Sequence, residues 1–260
     1  MARTDLVTNA RALRRFARKS AWQLQGLVPT IRKQRREEAD ALRQFILQLY
    51  HGENLAPEQS RQNLEESVVE ITNPNGGHSS NGLLITDSGY FLTALHCTTS
   101  LPGDLHVRIG NVLYPLEKLC AYRESEDLAL GKIPLRGSGA RNYRLHQENF
   151  LPHMAVRLLT RREGDIVHKH GFAQRHQRGA QLVLPNGEYT KPQYPYFTFD
   201  APTQPGDSGG VYISPEGRLI GIHVSSCGTR DRSYLSQSNA IRLFSALELI
   251  ERYAQRLSPR

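Results

Sequence analysis

The sequence predicts an all-β core with helices before and after it. Three observations carry that reading. From Ser67 onward the chain breaks into short apolar runs separated by Gly, Pro, Asn and Asp turn signals, the pattern of closely spaced strands. Residues 4–50 instead place apolar side chains at helical spacing with arginines between them. Residues Ala240–Arg256 return to that spacing, with Ile241, Phe244, Leu247, Leu249 and Ile250 apolar.

Taken in order, residues 4–24 read as a first helix through Leu6, Ala10, Leu13, Phe16, Ala17 and Leu24, interrupted by Gly26 and Pro29. A second helix runs from about Ile31 to Tyr50, where Leu42, Phe45, Ile46 and Leu49 form one stripe and Gly52 is a stop. The two are expected to form an α-helical hairpin, a basic N-terminal module over residues 1–62. Residues 51–65 are polar, contain Pro57 and read as linker. The core is expected over residues 66–258. Strand candidates are Val68–Thr72, Gly82–Thr86, Tyr90–Thr93, Leu105–Ile109, Asn111–Pro115, Leu128–Ile133, Ala155–Thr160, Asp165–His170, Gln181–Leu184, Tyr196–Asp200, Gly210–Ile213 and Leu219–Val224. Asp87-Ser88-Gly89 and Pro215-Glu216-Gly217 are the clearest hairpin turns.

With 260 residues there is room for one large domain plus an appendage. No apolar run approaches the about eighteen residues of a transmembrane helix, and the basic N-terminus lacks a signal peptide's apolar stretch. The three cysteines, Cys97, Cys120 and Cys227, have no CxxC spacing, which argues against a disulfide framework or a zinc site. Free thiols and a cytoplasmic location are expected. The formal net charge of +8 is concentrated early, at Arg3, Arg11, Arg14, Arg15, Arg18, Lys19, Arg32, Lys33, Arg35, Arg36, Arg43 and Arg61. Such a segment suits a partner protein, nucleic acid or an anionic membrane, or is simply a solvated helical face.

The chemistry centres on Pro205-Gly206-Asp207-Ser208-Gly209-Gly210. A serine between glycines at a tight bend can expose its hydroxyl, and the N–H groups of Gly206 and Ser208 can converge on a developing oxyanion. A serine hydroxyl needs a base and a group to orient that base. His96 ends the apolar run Tyr90–Leu95, and Asp127 heads the run Leu128–Leu130, with Glu124, Glu126 and Asp104 as competing acids. The order His96, Asp127, Ser208 is that of a nucleophilic triad.

These residues resemble the chymotrypsin-like (trypsin-fold) serine proteases through Thr-Ala-Leu-His-Cys at 93–97, Asp-Leu-Ala-Leu at 127–130 and Gly-Asp-Ser-Gly-Gly at 206–210. The resemblance covers roughly residues 66–250. It implies two six-stranded antiparallel β-barrels with the active site between them, a serine endopeptidase working through an acyl-enzyme on protein or peptide substrates, and no cofactor or metal. Secreted relatives often bridge the cysteine after the histidine to one in the preceding strand, and Asn81–Gly89 holds none. In relatives that cut after Lys or Arg an acid lies six residues before the serine, and here that position is Pro202. Instead, His223 in Gly221-Ile222-His223-Val224 and Thr203, five residues before the serine, resemble the pocket of glutamyl endopeptidases and viral 3C-like proteases, which implies Glu or Gln at P1. A satisfied core histidine is the plainer reading of His223. Val224, Ser225 and Ser226 would then pair with extended substrate, although relatives carry glycines there. Gly171-Phe172-Ala173 resembles a Gly-Tyr/Phe-Pro turn of bacterial relatives.

Other readings stand beside these. His168, His170 and His176 invite a metal, but no Cys or acid follows at ligand spacing. In zymogen-type relatives the aspartate before the nucleophile pairs with a freed amino terminus, so Asp207 raises either self-cleavage after Glu66 or a local partner. The alternative for the whole chain is a nucleic-acid or membrane binding module that uses its basic helices, with the barrels as scaffold.

Overall fold

The structure, a computed structural model, describes residues 29–49, 55–74, 79–99, 105–137, 139–146, 153–174, 197–227 and 237–258. The expected helix at 4–24 and strand at Gln181–Leu184 lie outside them. Helix α1 spans residues 29–49, and α2 (Pro57–Ser67) follows. The chain then forms β1 (Val68–Thr72), β2 (Ser79–Leu84), β3 (Tyr90–Ala94), the short α3 (His96–Thr99), β4 (His106–Ile109), β5 (Val112–Pro115), β6 (Lys118–Arg123) and β7 (Leu128–Lys132). The second half comprises β8 (Arg144–Leu145), β9 (Ala155–Arg162), β10 (Asp165–Phe172), β11 (Phe197–Phe199), β12 (Val211–Ile213), β13 (Arg218–Cys227), β14 (Gln237–Arg242) and α4 (Leu243–Leu257).

These strands form two curled antiparallel sheets, the fold expected of the paired barrels. The first has seven strands in the order β5-β4-β1-β2-β3-β7-β6. The second runs β10-β9-β12-β13-β14-β11, with the two-residue β8 added in parallel beside β13. Strands β1, β3 and β7 are buried along their whole length, because they lie mid-sheet with structure on both faces. Their Leu, Ile, Val and aromatic side chains join one core that also takes in Leu159, Val211 and Ile222 from the second sheet and most of the apolar face of α4.

The N-terminal helices are part of this core. Ala39, Leu42, Phe45 and Leu49 of α1 and Leu64 of α2 belong to the same apolar cluster as the sheets. Phe45 meets Tyr143 edge to face with ring centroids 6.0 Å apart. Glu38 accepts a 2.6 Å hydrogen bond from the Tyr90 hydroxyl and pairs with the buried ammonium of Lys132. The stretch expected to be a linker is largely α2, opened by Pro57 in its first turn, where proline loses no helical hydrogen bond. Its Ser60 hydroxyl donates to the Gly217 carbonyl at 2.7 Å, and its C-cap residue Val68 is already extended, so helix runs straight into strand.

Two further differences from expectation have physical causes. Strand β6 was not anticipated, because it is an edge strand with half its side chains exposed and shows no apolar alternation. The C-terminal helix starts at Leu243, and Ala240–Arg242 instead finish β14. Polar Ser238 and Asn239 are buried there by hydrogen bonding: Ser238 Oγ donates to the Phe199 carbonyl at 3.2 Å, and Asn239 Nδ2 donates to Ser225 Oγ at 3.1 Å.

Candidate active site

Strand register brings His96 and Asp127 together. Ala94 at the end of β3 pairs with Leu128 at the start of β7, so the residues just beyond each strand meet at the same end of the sheet. The contact is threefold. The Leu95 N–H donates to the Asp127 carbonyl at 2.9 Å, the His96 N–H donates to Asp127 Oδ1 at 2.8 Å, and His96 Nδ1 lies 2.5 Å from Oδ2. Asp127 takes a left-handed conformation (φ 51°) after the 3₁₀ turn Glu124–Glu126, which aims its carboxylate at the imidazole. Of the competing acids, Glu126 is buried and pairs with Arg123 at 2.8 Å, the Glu124 backbone carbonyl accepts the Asp127 N–H, and Asp104 lies outside the described residues. Burial works against a charged His96, but the Asp127 hydrogen bond and then the Cys97 sulfur outweigh it and push its pKa up to about 10.

Ser208 lies between β11 and β12 in a loop fastened to both sheets. The Asn81 N–H of β2 donates to the Ser208 carbonyl at 2.7 Å, and Asn81 Nδ2 donates to the Gly206 carbonyl at 2.7 Å. A Cβ at Gly209 (φ 80°) would strike the Asn81 carbonyl oxygen and Thr93 Oγ1, so glycine is what lets the loop close on the strands that lead to His96. Among the described residues, neither the Gly206 nor the Ser208 N–H is taken up by an internal acceptor.

Asp207 is fully buried and paired locally. Lys169 Nζ reaches its Oδ2 at 2.5 Å, Arg162 its Oδ1 at 3.0 Å, and the Gln204 N–H its Oδ2 at 2.7 Å. Glu66 sits inside α2, and Val68 is buried in β1. The self-cleavage reading therefore gives way to the local partner.

His223 sits behind the serine loop. Its carbonyl accepts the Gly209 N–H and its N–H donates to the Gly210 carbonyl, both at 2.8 Å. The imidazole is buried, with the Tyr212 hydroxyl 3.5 Å from Nδ1 and the Tyr212 ring edge-on at 5.9 Å between centroids. Burial pushes its pKa down to about 4; Asp207 opposes this, while His96 and Lys169 add to it. Thr203 is half-buried in the same loop, and Pro202 is exposed. Val224 is buried at a register shift of β13 against β14, Ser225 is half-buried, and the Ser226 backbone pairs with Ser238 while its side chain lies outside the described residues. Strand β12 pairs with β13 only as far as Ile222, and among the described residues the β12-side edge of Val224–Ser226 carries no strand. Gly171 abuts Ala201, and the Phe172 N–H donates to Asp200 Oδ1 at 2.5 Å, tying β10 to the start of the loop.

Of the histidines read for a metal, His168 lies 3.6 Å from Glu65 and His176 is outside the described residues. Among the described residues, no three His, Cys, Asp or Glu side chains cluster as metal ligands. Cys97 and Cys120 are free thiols. Sequence reasoning missed Asn81, Arg162 and Lys169. Each acts on a loop far away in the chain, and no local spacing signals such a contact.

The sequence profile of the trypsin-like peptidase domain matches residues 80–222, more than half of the chain. The chain belongs to this family. Trypsin-like peptidases act on protein or peptide substrates, and this member is a serine peptidase. No curated protein matches it in sequence. Among solved structures it is similar to the MamO protease domain from Magnetospirillum magneticum (TM-score 0.56, 18% identity, covering 72% of this chain and 96% of that one). It is similar also to the serine endoprotease from Yersinia pestis (TM-score 0.58, 18% identity, covering 77% and 67%). The active form of Rv3671c protease from M. tuberculosis gives a TM-score of 0.57 at 18% identity, covering 73% and 82%. Identity this low speaks for the fold alone. Among the described residues no helix is long and apolar enough to cross a membrane.

Proposed function

We propose that the chain is a serine endopeptidase in which Ser208 attacks the scissile carbonyl, His96 takes its proton and Asp127 orients and stabilises the imidazolium. The observation that carries this reading is the paired contact of Asp127 with the His96 ring and backbone. A carboxylate that grips both holds Nδ1–H toward Asp127 and turns Nε2 away from it; Nε2, 3.8 Å from the Cys97 sulfur in this structure, is the nitrogen that takes the proton once the ring is neutral. The Gly206 and Ser208 N–H groups stabilise the oxyanion, the amine leaves with the proton from His96, and water then releases the acyl group by the same path. No cofactor or metal enters these steps.

At P1 the reading is Glu or Gln. A buried imidazole held neutral at pH 7 offers a hydrogen bond without a charge, which suits a carboxylate or an amide that an apolar pocket rejects. Thr203 supplies a second polar group, and Val224, Ser225 and Ser226 pair with the extended substrate as an added strand. The free thiols suit a reducing compartment such as the cytoplasm. Of the basic residues behind the binding-module alternative, half lie in residues 1–28, outside the described residues, and α1 keeps Arg32, Lys33, Arg35 and Arg36 exposed while its apolar face joins the core.

A fluorophosphonate probe tests the triad: wild type is labelled, and Ser208→Ala and His96→Ala are not. Peptides differing only at P1 test the pocket. Cleavage after Glu or Gln exceeds cleavage after Leu, and equal rates would remove His223 and Thr203 from the specificity site.

A further inference from the structure

The carbonyls from Pro205 to Ser208 are held one by one. The Gly206 carbonyl accepts from Asn81 Nδ2, the Asp207 carbonyl from the Gly210 N–H and the Ser208 carbonyl from the Asn81 N–H. The remaining one, on Pro205, is held by Arg162: its guanidinium donates at 3.0 Å both to the Pro205 carbonyl and to Asp207 Oδ1. The Pro205 carbonyl belongs to the peptide that carries the Gly206 N–H. No peptide bond in the described chain is cis, so that N–H points away from whatever holds the carbonyl. Gly206 has φ 96°, a region open to glycine, and glycine gives the peptide little intrinsic resistance to rotation.

Charge pairing alone does not account for Arg162. Lys169 already sits on the other oxygen of Asp207 at 2.5 Å. What Lys169 does not reach is the Pro205 carbonyl. Both bonds leave one nitrogen, Nη2, whose two N–H directions are fixed in the guanidinium plane, whereas a lysine ammonium rotates on a flexible stem and does not hold one donor on each acceptor.

We propose that Arg162 is a positioning residue for the oxyanion site, locking the Pro205–Gly206 peptide so that the Gly206 N–H faces the reacting carbonyl. The inference rests on the assignment of Gly206 and Ser208 as oxyanion donors. Arg162 touches no substrate; it fixes a donor that does. Losing the lock misplaces one donor without deleting it. The cost expected is on the order of 10- to 100-fold in kcat, somewhat under that of removing a donor outright.

The test compares Arg162→Lys and Arg162→Gln with wild type and Ser208→Ala, using one peptide substrate, kcat and KM measured separately, and urea unfolding as the control for folding. Arg162→Lys keeps a cation beside Asp207 and so keeps the fold. The expected result is a kcat lowered about 10- to 100-fold in both variants, with KM within about twofold and the Arg162→Lys unfolding midpoint unchanged. If Arg162→Lys matches wild type, whether or not Arg162→Gln is impaired, Arg162 serves only as a charge and the proposal is overturned. A loss confined to KM, or one that follows a fall in the Arg162→Lys unfolding midpoint, overturns it as well. Wild type that does not turn over, or Ser208→Ala that does, counts instead against the triad.

Discussion

His223 gives a stability prediction whose size follows from its burial. In the folded chain its pKa is lowered from 6.5 to about 4, chiefly because burial disfavours the imidazolium. Above pH 6.5 both states carry a neutral ring and nothing is lost. As pH falls below 6.5 the unfolded chain takes up a proton that the folded chain refuses, so stability drops, and the loss levels off near pH 4, where the folded ring also titrates. With about 1.4 kcal/mol per pH unit, the loss from this one group is about 2 kcal/mol at pH 5 and about 3 kcal/mol at pH 4. The measurement is urea unfolding at pH 7 and pH 5 in a Ser208→Ala background, which avoids self-digestion, with and without His223→Gln. Other groups titrate in both chains and cancel in the comparison. The chain with His223 should lose about 2 kcal/mol more between the two pH values, a midpoint difference of roughly 1 M urea for a slope of about 2 kcal/mol per M. Equal losses in the two chains would mean that His223 is solvated or already paired as a cation, and the neutral-donor account of the pocket would fall with it.

Two further outcomes are expected. Asp127→Asn lowers kcat by about 10⁴-fold and moves the acid limb of the pH profile downward, because burial depresses the His96 pKa and the Asp127 hydrogen bond is the larger of the two contacts, with the Cys97 sulfur, that raise it; an unmoved limb in kcat/KM profiles would separate Asp127 from the base. Lys132→Met alone strands the buried Glu38 carboxylate and costs about 3–5 kcal/mol in urea unfolding, while adding Glu38→Leu recovers most of it; a single substitution costing under about 1 kcal/mol would show α1 to be loosely attached.

Where the chain could be read from its sequence follows from which residues bury apolar surface. Strands β3 and β7 are continuous apolar runs, and the residues that cap them, His96 and Asp127, stand out because polar groups interrupt the pattern there. The Ser208 loop is legible for the opposite reason, since its glycines permit a backbone other residues resist, with φ 96° at Gly206 and 80° at Gly209. Strand β14 and helix α2 fail the same test. Ser238 and Asn239 reach the interior through hydrogen bonds, and α2 buries a single leucine, Leu64, beside Ser60, which donates to a carbonyl, and Ser67. An apolar periodicity cannot register elements that are paid for in polar contacts.

Division of the three residues of the proposed triad between the two sheets explains why so much of the loop is clamped. His96 and Asp127 are fixed by strands of the first sheet, whereas Ser208 hangs between strands of the second, so any sliding of one sheet on the other moves Ser208 relative to His96. The two sheets are pinned at this point by a single residue. Asn81, in β2, donates to the carbonyls of Gly206 and Ser208, accepts the Arg161 N–H of β9 on its side chain at 2.5 Å and accepts the Thr93 hydroxyl on its carbonyl at 2.6 Å. Thr93 lies on the strand that delivers His96. Asn81 is wholly buried, so water does not compete for these bonds. The absence of a Cβ at Gly209 is what allows the Asn81 carbonyl to come this close. The spacing between the proposed base and nucleophile therefore rests on a short chain of hydrogen bonds through one asparagine, backed by Arg161 of β9, whose Nε donates to the Val68 carbonyl of β1 at 2.8 Å, and by the apolar core the two sheets share.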